Sequence, residues 1–509
     1  MFSRREFISG STAFAASIAL AKGRTEPKLR VGVLSDIHIT TDEDVPAFEK
    51  ALRYFDARKV DAVLISGDLT RWNWIREFEL VAATWYRVFP DDRRSDGEPV
   101  ERLFVTGNHD VDGWAYKPAG FASVEEARET SFFFHRDEVW QRLFHEPYRQ
   151  VSMKEVKGYR FVLRNWLSIL GRESRIHPLA EGFRDEPNPV EEFLSGQDLG
   201  GEKPFFYVQH EQPDDTVNAT WLVGGVRWTN GQDDGTAKRI LSKYPNCICL
   251  SGHSHNSLTD ELSIWQGAFT AVNCSALTGF PFCAPGRENG WSMDDFGREP
   301  PLEMPCFDKS RVRQGMLMEV YEDAVVFRRH EFVCDRQLGP DWIVPTGSNA
   351  PRPYTFEKRL KEAQKPVFPK GSEVVVRQGD GYGRNAAGTG RAKEKHAQVF
   401  VSFPAVRTTD GSPVRAWDYA VRVELVTGDV VKTACERCVF SEGVFQAEEE
   451  ETKPVVCAFN RKDIPSTADS RQKIRFVVTP RSCWGVEGES IATAWMSVGE
   501  IKEIKEEGK

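Results

Sequence analysis

The sequence predicts a layered α/β domain followed by an all-β sandwich. Three observations carry this reading. Short apolar runs alternate with helical stretches in the first half. Consecutive strands follow from Ile248 onward. Beyond a stretch rich in proline and glycine, regular alternating runs continue almost to the C-terminus. Strand–helix alternation is the pattern of a sheet covered by helices. Regular short strands separated by turns suit a sandwich of Ig-like or fibronectin-like size. The expected organisation is an export signal at 1–21, an α/β domain at 28–340 with a helical insertion at about 116–201, a linker at 341–369 and a β-sandwich at 370–505.

The elements follow in order. Met1 to Ala21 carries Arg4-Arg5, an apolar run from Ile8 and the small-residue end Ala19-Leu20-Ala21. That order of charge, apolar run and cleavage site is a secretory signal, too short to span a bilayer comfortably. Ser3-Arg4-Arg5 followed by Phe7-Ile8 resembles the twin-arginine signal, which exports folded proteins. The expectation is a periplasmic or extracellular protein that meets the twin-arginine export machinery. Leu29–Ser35, Ala62–Ser66, Arg102–Thr106, Phe205–Gln209 and Cys247–Ser251 are continuously apolar, as strands buried on both faces should be. Val45–Arg58 and Arg76–Val88 read as helices between them. The insertion reads as helical with one strand, Gly158–Leu163. Gly315–Tyr321 and Ala324–Glu331 read as a hairpin. In the sandwich, strands are expected at Glu373–Arg377, Gln398–Phe403, Ala420–Val426, Pro454–Phe459, Lys473–Val478 and Ile491–Val498.

Composition bounds the function. The chain is 40% hydrophobic and 28% charged, which excludes a mostly disordered chain and a polytopic membrane protein. The net charge of −9 argues against a nucleic-acid backbone binder, so no nucleic-acid partner is expected, and because the apolar N-terminal run is short no stable membrane span is expected either. The ten cysteines begin only at Cys247. Disulfides, buried thiols and a zinc site built on Cys435, Cys438, Cys457 and Cys483 all stay open.

Five short strings stand at the ends of predicted strands. They are Asp36-Ile37-His38, Gly67-Asp68, Gly107-Asn108-His109-Asp110, a lone His210, and Gly252-His253-Ser254-His255. Half of the ten histidines lie in them. Strand periodicity puts Asp36 and His38 on one side, and likewise His253 and His255. Carboxylate, imidazole and amide oxygen together suit Mn, Fe, Zn or similar divalent ions. The glycines allow tight turns where backbone must crowd a site.

The order of these strings resembles the calcineurin-like metallophosphoesterases, over roughly residues 30–331. The resemblance implies a metallophosphoesterase-type layered α/β sandwich. It implies two divalent metal ions, the first held by Asp36, His38 and His255, the second by Asn108, His210 and His253, with Asp68 bridging both. It implies a catalytic His109 facing the substrate as general acid, and Asp110 behind the ligands. Two cations about 3.5–4 Å apart offset the charge of a phosphate ester and hold a bridging hydroxide for in-line attack. The expected activity is therefore hydrolysis of phosphodiesters or phosphomonoesters.

Departures narrow the branch. Gly67-Asp68 continues Leu69-Thr70-Arg71-Trp72 and not Asp-Arg-Gly, unlike the protein Ser/Thr phosphatases. Arg71 stands where purple acid phosphatases carry an iron-binding tyrosine. The short strings look more like class III cyclic-nucleotide phosphodiesterases. Arg71, Trp72, Trp114 and Tyr116 flank the ligand strings and are the candidate substrate-side residues. The loop Leu277–Asp308 is a candidate rim. The alternative function is a surface-binding protein whose sandwich does the work on an inert scaffold.

Overall fold

The computed structural model describes residues 26–116, 124–166, 189–218, 220, 233, 235–277, 313–381, 395–441, 454–467 and 471–504. The export signal and all but the first residue of the Leu277–Asp308 loop lie outside them. Among the described residues no helix is long and apolar enough to cross a membrane.

Two sheets build the first part. One contains β1 (Leu29–Leu34), β2 (Ala62–Ser66) and β3 (Glu101–Val105), which run parallel. The other contains β4 (Val151–Val156), β5 (Tyr159–Arg164), β6 (Phe205–Val208), β7 (Cys247–Ser251), β8 (Ile264–Gln266) and β9 (Thr270–Asn273) in the order β4-β5-β6-β7-β9-β8. The chain then returns to the first sheet as β10 (Gln314–Val320), β11 (Ala324–Glu331), β12 (Arg336–Gln337) and β13 (Trp342–Pro345). β10 lies antiparallel to β1, with Val31 opposite Met318.

The sheets meet face to face over one apolar core, including Val31, Leu64 and Val105 from one and Phe161, Phe206 and Ile248 from the other. Helices cover the outer faces. Val45–Ala57 buries Val45, Phe48, Ala51, Leu52 and Phe55, a stripe at helical spacing. With Ile75–Val88 and Phe132–Phe144 it closes the first sheet. Pro189–Ser195 and Thr236–Leu241 close the second. β2, β6 and β7 are buried at every residue, which is why they read as continuously apolar.

The C-terminal part holds β14 (Val375–Gly381), β15 (His396–Phe403), β16 (Asp418–Thr427), β17 (Val430–Phe440), β18 (Val455–Asn460), β19 (Gln472–Arg481), β20 (Ile491–Ala492) and β21 (Lys502–Glu503). They form two four-stranded sheets, β18-β15-β14-β21 and β17-β16-β19-β20. One core joins them, with Val399, Val401 and Phe459 against Tyr419, Val421 and Phe476.

Four local readings change. β17 carries no apolar alternation because Val430 to Ala434 are exposed on an outer strand, so periodicity missed it. The insertion holds two strands, not one. β4 and β5 form a hairpin whose turn residues Lys157 and Gly158 have φ of 49° and 78°, the left-handed pair of a tight hairpin turn. The proline-rich stretch 341–369 contains β13, paired with β11, and the helix Phe356–Glu362. The strand expected at Ile491–Val498 shortens to Ile491–Ala492.

Candidate metal centre

The five strings all lie at the carboxyl ends of parallel strands, where β1, β2, β3, β6 and β7 run out. The two sheets bring these ends to one place. Strand alternation is not what aims the ligands. Asp36 and His38 lie beyond β1 with φ of 50° and 45°. Asp68, His253 and His255 are also left-handed, at 53°, 66° and 52°. Such backbone is uncommon for non-glycine residues and persists where surrounding contacts over-determine it. Those contacts are present. Asp36 N and His38 N donate to Gly67 O and Asp68 O, both at 3.0 Å, so the loops after β1 and β2 stay paired. Ser35 Oγ and His253 N donate to Asp36 Oδ2 at 2.5 and 2.9 Å.

Three glycines make room. A Cβ on Gly67 would overlap the His210 ring, and Gly67 also has φ of 104°. A Cβ on Gly107 would overlap Asp68 Oδ1, and one on Gly252 would overlap Ser35 Oγ and Asp36 Oδ2. At Gly107 and Gly252 the requirement is therefore space alone.

Two ligand groups result, each with its donor atoms within 4.8 Å of one another. Asp36, His38, Asp68 and His255 form one, and Asp68, His210 and His253 the other. Asp68 is common to both. His255 Nε2 is 2.8 Å from Asp36 Oδ1, and His38 Nε2 is 3.1 Å from His255 Nε2. His210 Nε2 is 3.1 Å from Asp68 Oδ2 and 3.3 Å from His253 Nδ1. His210 Nδ1 sits 2.8 Å from Ser66 O, an acceptor only, so Nδ1 carries a proton and Nε2 is the atom that faces the carboxylate. Acceptors facing each other at this range need a shared cation or proton, so the donor set fits divalent metal.

The electrostatics agree. Burial pushes Asp36 and Asp68 up, but the facing imidazoles, His255 and His210 for the first and His210 and His109 for the second, hold both well below the usual carboxylate range. Burial takes His38 down to about 3. Burial also opposes charge on His210, yet Asp68 and Asp36 raise it to about 10.

Asn108 is buried and opens the helix Asn108–Tyr116. His109 follows. Its N–H donates to Asp68 Oδ1 at 2.8 Å, its Nδ1 lies 2.8 Å from Arg71 O, and its ring meets His38 edge-on at 4.7 Å. Burial lowers its pKa, against the pull of Asp68. Asp110 caps its own turn through Gly107 N and also binds Leu69 N and Thr70 N. Arg71 and Trp72 are half-buried beside His109, the guanidinium 5.3 Å from the Trp72 ring. The side chains of Trp114 and Tyr116 lie outside the described residues.

Sequence reasoning missed Trp166. It is buried, its ring lies 6.0 Å from both His210 and His253, and its Nε1 donates to Asp112 at 2.9 Å. Nothing in its immediate sequence signals this, since it arrives on the far end of β5. None of the eight described cysteines is in a disulfide, and none joins a metal-ligand group among the described residues.

The family model for calcineurin-like phosphoesterases matches residues 29–257. Among solved structures the chain is similar to a dimetal phosphatase from Danio rerio, at 13% identity and a TM-score of 0.38, over 63% of this chain and 99% of that one. It is also similar to a purple acid phosphatase from yellow lupin (Lupinus luteus), at 12% identity and a TM-score of 0.37, over 63% and 55%. No curated protein matches the chain.

Proposed function

We propose that the chain is an exported dinuclear-metal phosphoesterase that hydrolyses phosphodiesters or phosphomonoesters, with His109 as general acid. The observation that carries this reading is Asp68, a single carboxylate common to two ligand groups. Asp36, His38 and His255 would hold one ion, and His210, His253 and Asn108 the other. When bound, the ions offset phosphoryl charge and lower the pKa of water.

The chain's own groups do the rest. Asp68 accepts the His109 amide and so ties the ligand shell to the proposed acid. His109 commits its Nδ1 proton to Arg71 O, so the proton for a leaving oxygen is the one that Nε2 carries in the imidazolium form. Arg71 brings a second positive charge beside it, suited to an anionic substrate. Export rests on the Arg4-Arg5 signal, and the two C-terminal sheets fit an Ig-like or fibronectin-like accessory domain.

Metal-reconstituted protein is expected to cleave bis-aryl or mono-aryl phosphates and to carry close to two metal equivalents. Asp68→Ala should abolish both. Full activity in that variant would sink the bridging role, and a metal-supplied protein holding no metal would favour the scaffold reading. A panel of nucleotides, cyclic nucleotides, sugar nucleotides and phospholipid headgroups identifies the ester.

A further inference from the structure

The loop from Gly252 to Ser263 carries His253 and His255 and then runs outward to the C-terminal sheets. Its inner part is fixed by a buried amide chain. Asn273 Nδ2 donates to Ser254 Oγ at 3.2 Å and to Asn218 Oδ1 at 3.0 Å. Asn218 Nδ2 donates in turn to Asp260 Oδ2 at 2.9 Å and Ser263 Oγ at 2.8 Å. Ser254, Asn218, Asn273, Asp260 and Ser263 are all buried, so breaking the chain is costly. Ser254, the residue between the two histidines, is thereby joined to the far end of the loop.

That far end is held by charge. Arg329 Nη1 donates to Leu258 O at 2.8 Å and Glu261 Oε1 at 2.9 Å. Trp342 Nε1 donates to Glu261 Oε2 at 3.2 Å. Arg359 donates to the Glu261 carbonyl and carboxylate, and to Ile264 O at 3.3 Å. The Arg359 guanidinium lies 5.0 Å from the ring of Trp484, which follows β19 of the C-terminal sheets. Phe356 packs on the same indole at 5.6 Å. Glu261, Arg329, Arg359 and Trp484 line a cleft of about 610 Å³ between the two parts.

We propose that the C-terminal sheets are a positioning element for the metal centre. They act through Trp484, Arg359 and Glu261 on the loop that presents His253 and His255. Both histidines sit in left-handed backbone, which needs this kind of outside support. The inference rests on the metal-centre reading above, and none of these three residues is a ligand.

The test is Mn²⁺ titration of the metal-free full chain by calorimetry, well below each variant's own Tm. Glu261→Gln should weaken binding roughly ten-fold, the lower range for groups that orient ligands. Trp484→Ala should weaken it several-fold. Phe476→Leu, in the C-terminal core and off the path, should lower Tm and leave affinity unchanged. Wild-type affinity in folded Glu261→Gln and Trp484→Ala would overturn the proposal. So would equal weakening in Phe476→Leu, because the effect would then be general destabilisation. If Glu261→Gln fails to fold, Trp484→Ala decides alone. A wild type that binds no Mn²⁺ overturns the metal-centre reading, and this proposal with it.

Discussion

Asp110 holds Thr70 at two points, accepting its backbone N–H at 2.7 Å and its hydroxyl at 2.8 Å on the same oxygen. The other carboxylate oxygen takes Leu69 N and Gly107 N at 3.0 and 2.8 Å. The loop that presents Asp68 is thereby locked to the loop that presents Asn108 and His109. In Asp110→Asn an amide N–H₂ must face one of these donor sets. Metal affinity should fall about 10–100-fold, as for other groups that orient ligands. Metal titration checks this, and unchanged affinity would mean the two loops hold position without the carboxylate.

Gly107→Ala and Gly252→Ala test crowding apart from backbone strain, because neither glycine has a positive φ. Each new methyl would displace a ligand carboxylate. Both variants should fold, by far-ultraviolet circular dichroism, and purify with less metal than wild type. Normal metal content in both would show that the carboxylates can move aside freely.

His109→Ala should keep its metal and lose kcat by about 10²–10⁴-fold, the usual worth of a general acid or base. The loss should be larger for an alkyl ester than for a nitrophenyl ester, whose leaving group needs little protonation. An equal loss on both would assign His109 to substrate binding instead.

Glu77 predicts a pH effect on stability. Burial raises its carboxyl to about 8, even though Trp72 N and Trp74 N donate to it at 2.9 and 3.2 Å. A carboxyl raised on folding contributes stability that is full below its unfolded value of 4.5 and is lost as pH rises through about 8. Glu77→Gln keeps an acceptor oxygen and does not titrate. The Tm of wild type relative to Glu77→Gln should therefore fall between pH 5 and pH 9. The stability lost is at most roughly 1.4 kcal/mol for each pH unit crossed between 4.5 and about 8. Parallel Tm curves would show that the carboxyl does not titrate in this window.

Much of the fold was legible because burial on both faces leaves a plain record. β2 and β7 carry apolar residues without a break, and their ends coincide with those read from sequence. Elements with one exposed face or extreme turn content left a poorer record. β17 reads as polar, and β13 hides among prolines because its identity comes from pairing with β11.

The site divides in the same way. By itself, the sequence determined which residue types stand at the strand ends, and in what order, because those choices are chemical and local. Tertiary structure brought Asp68, the bridging carboxylate that the family resemblance implied, into both ligand groups. It also decided that left-handed turns aim the ligands, that Asp110 joins two loops, and that Trp166 backs His210 and His253. These are distances between segments far apart in the chain, fixed by the register of β1 on β10 and of β6 on β7 and by the packing of the two sheets. Local periodicity records how each residue is buried, and it carries no record of which distant residue is packed against it.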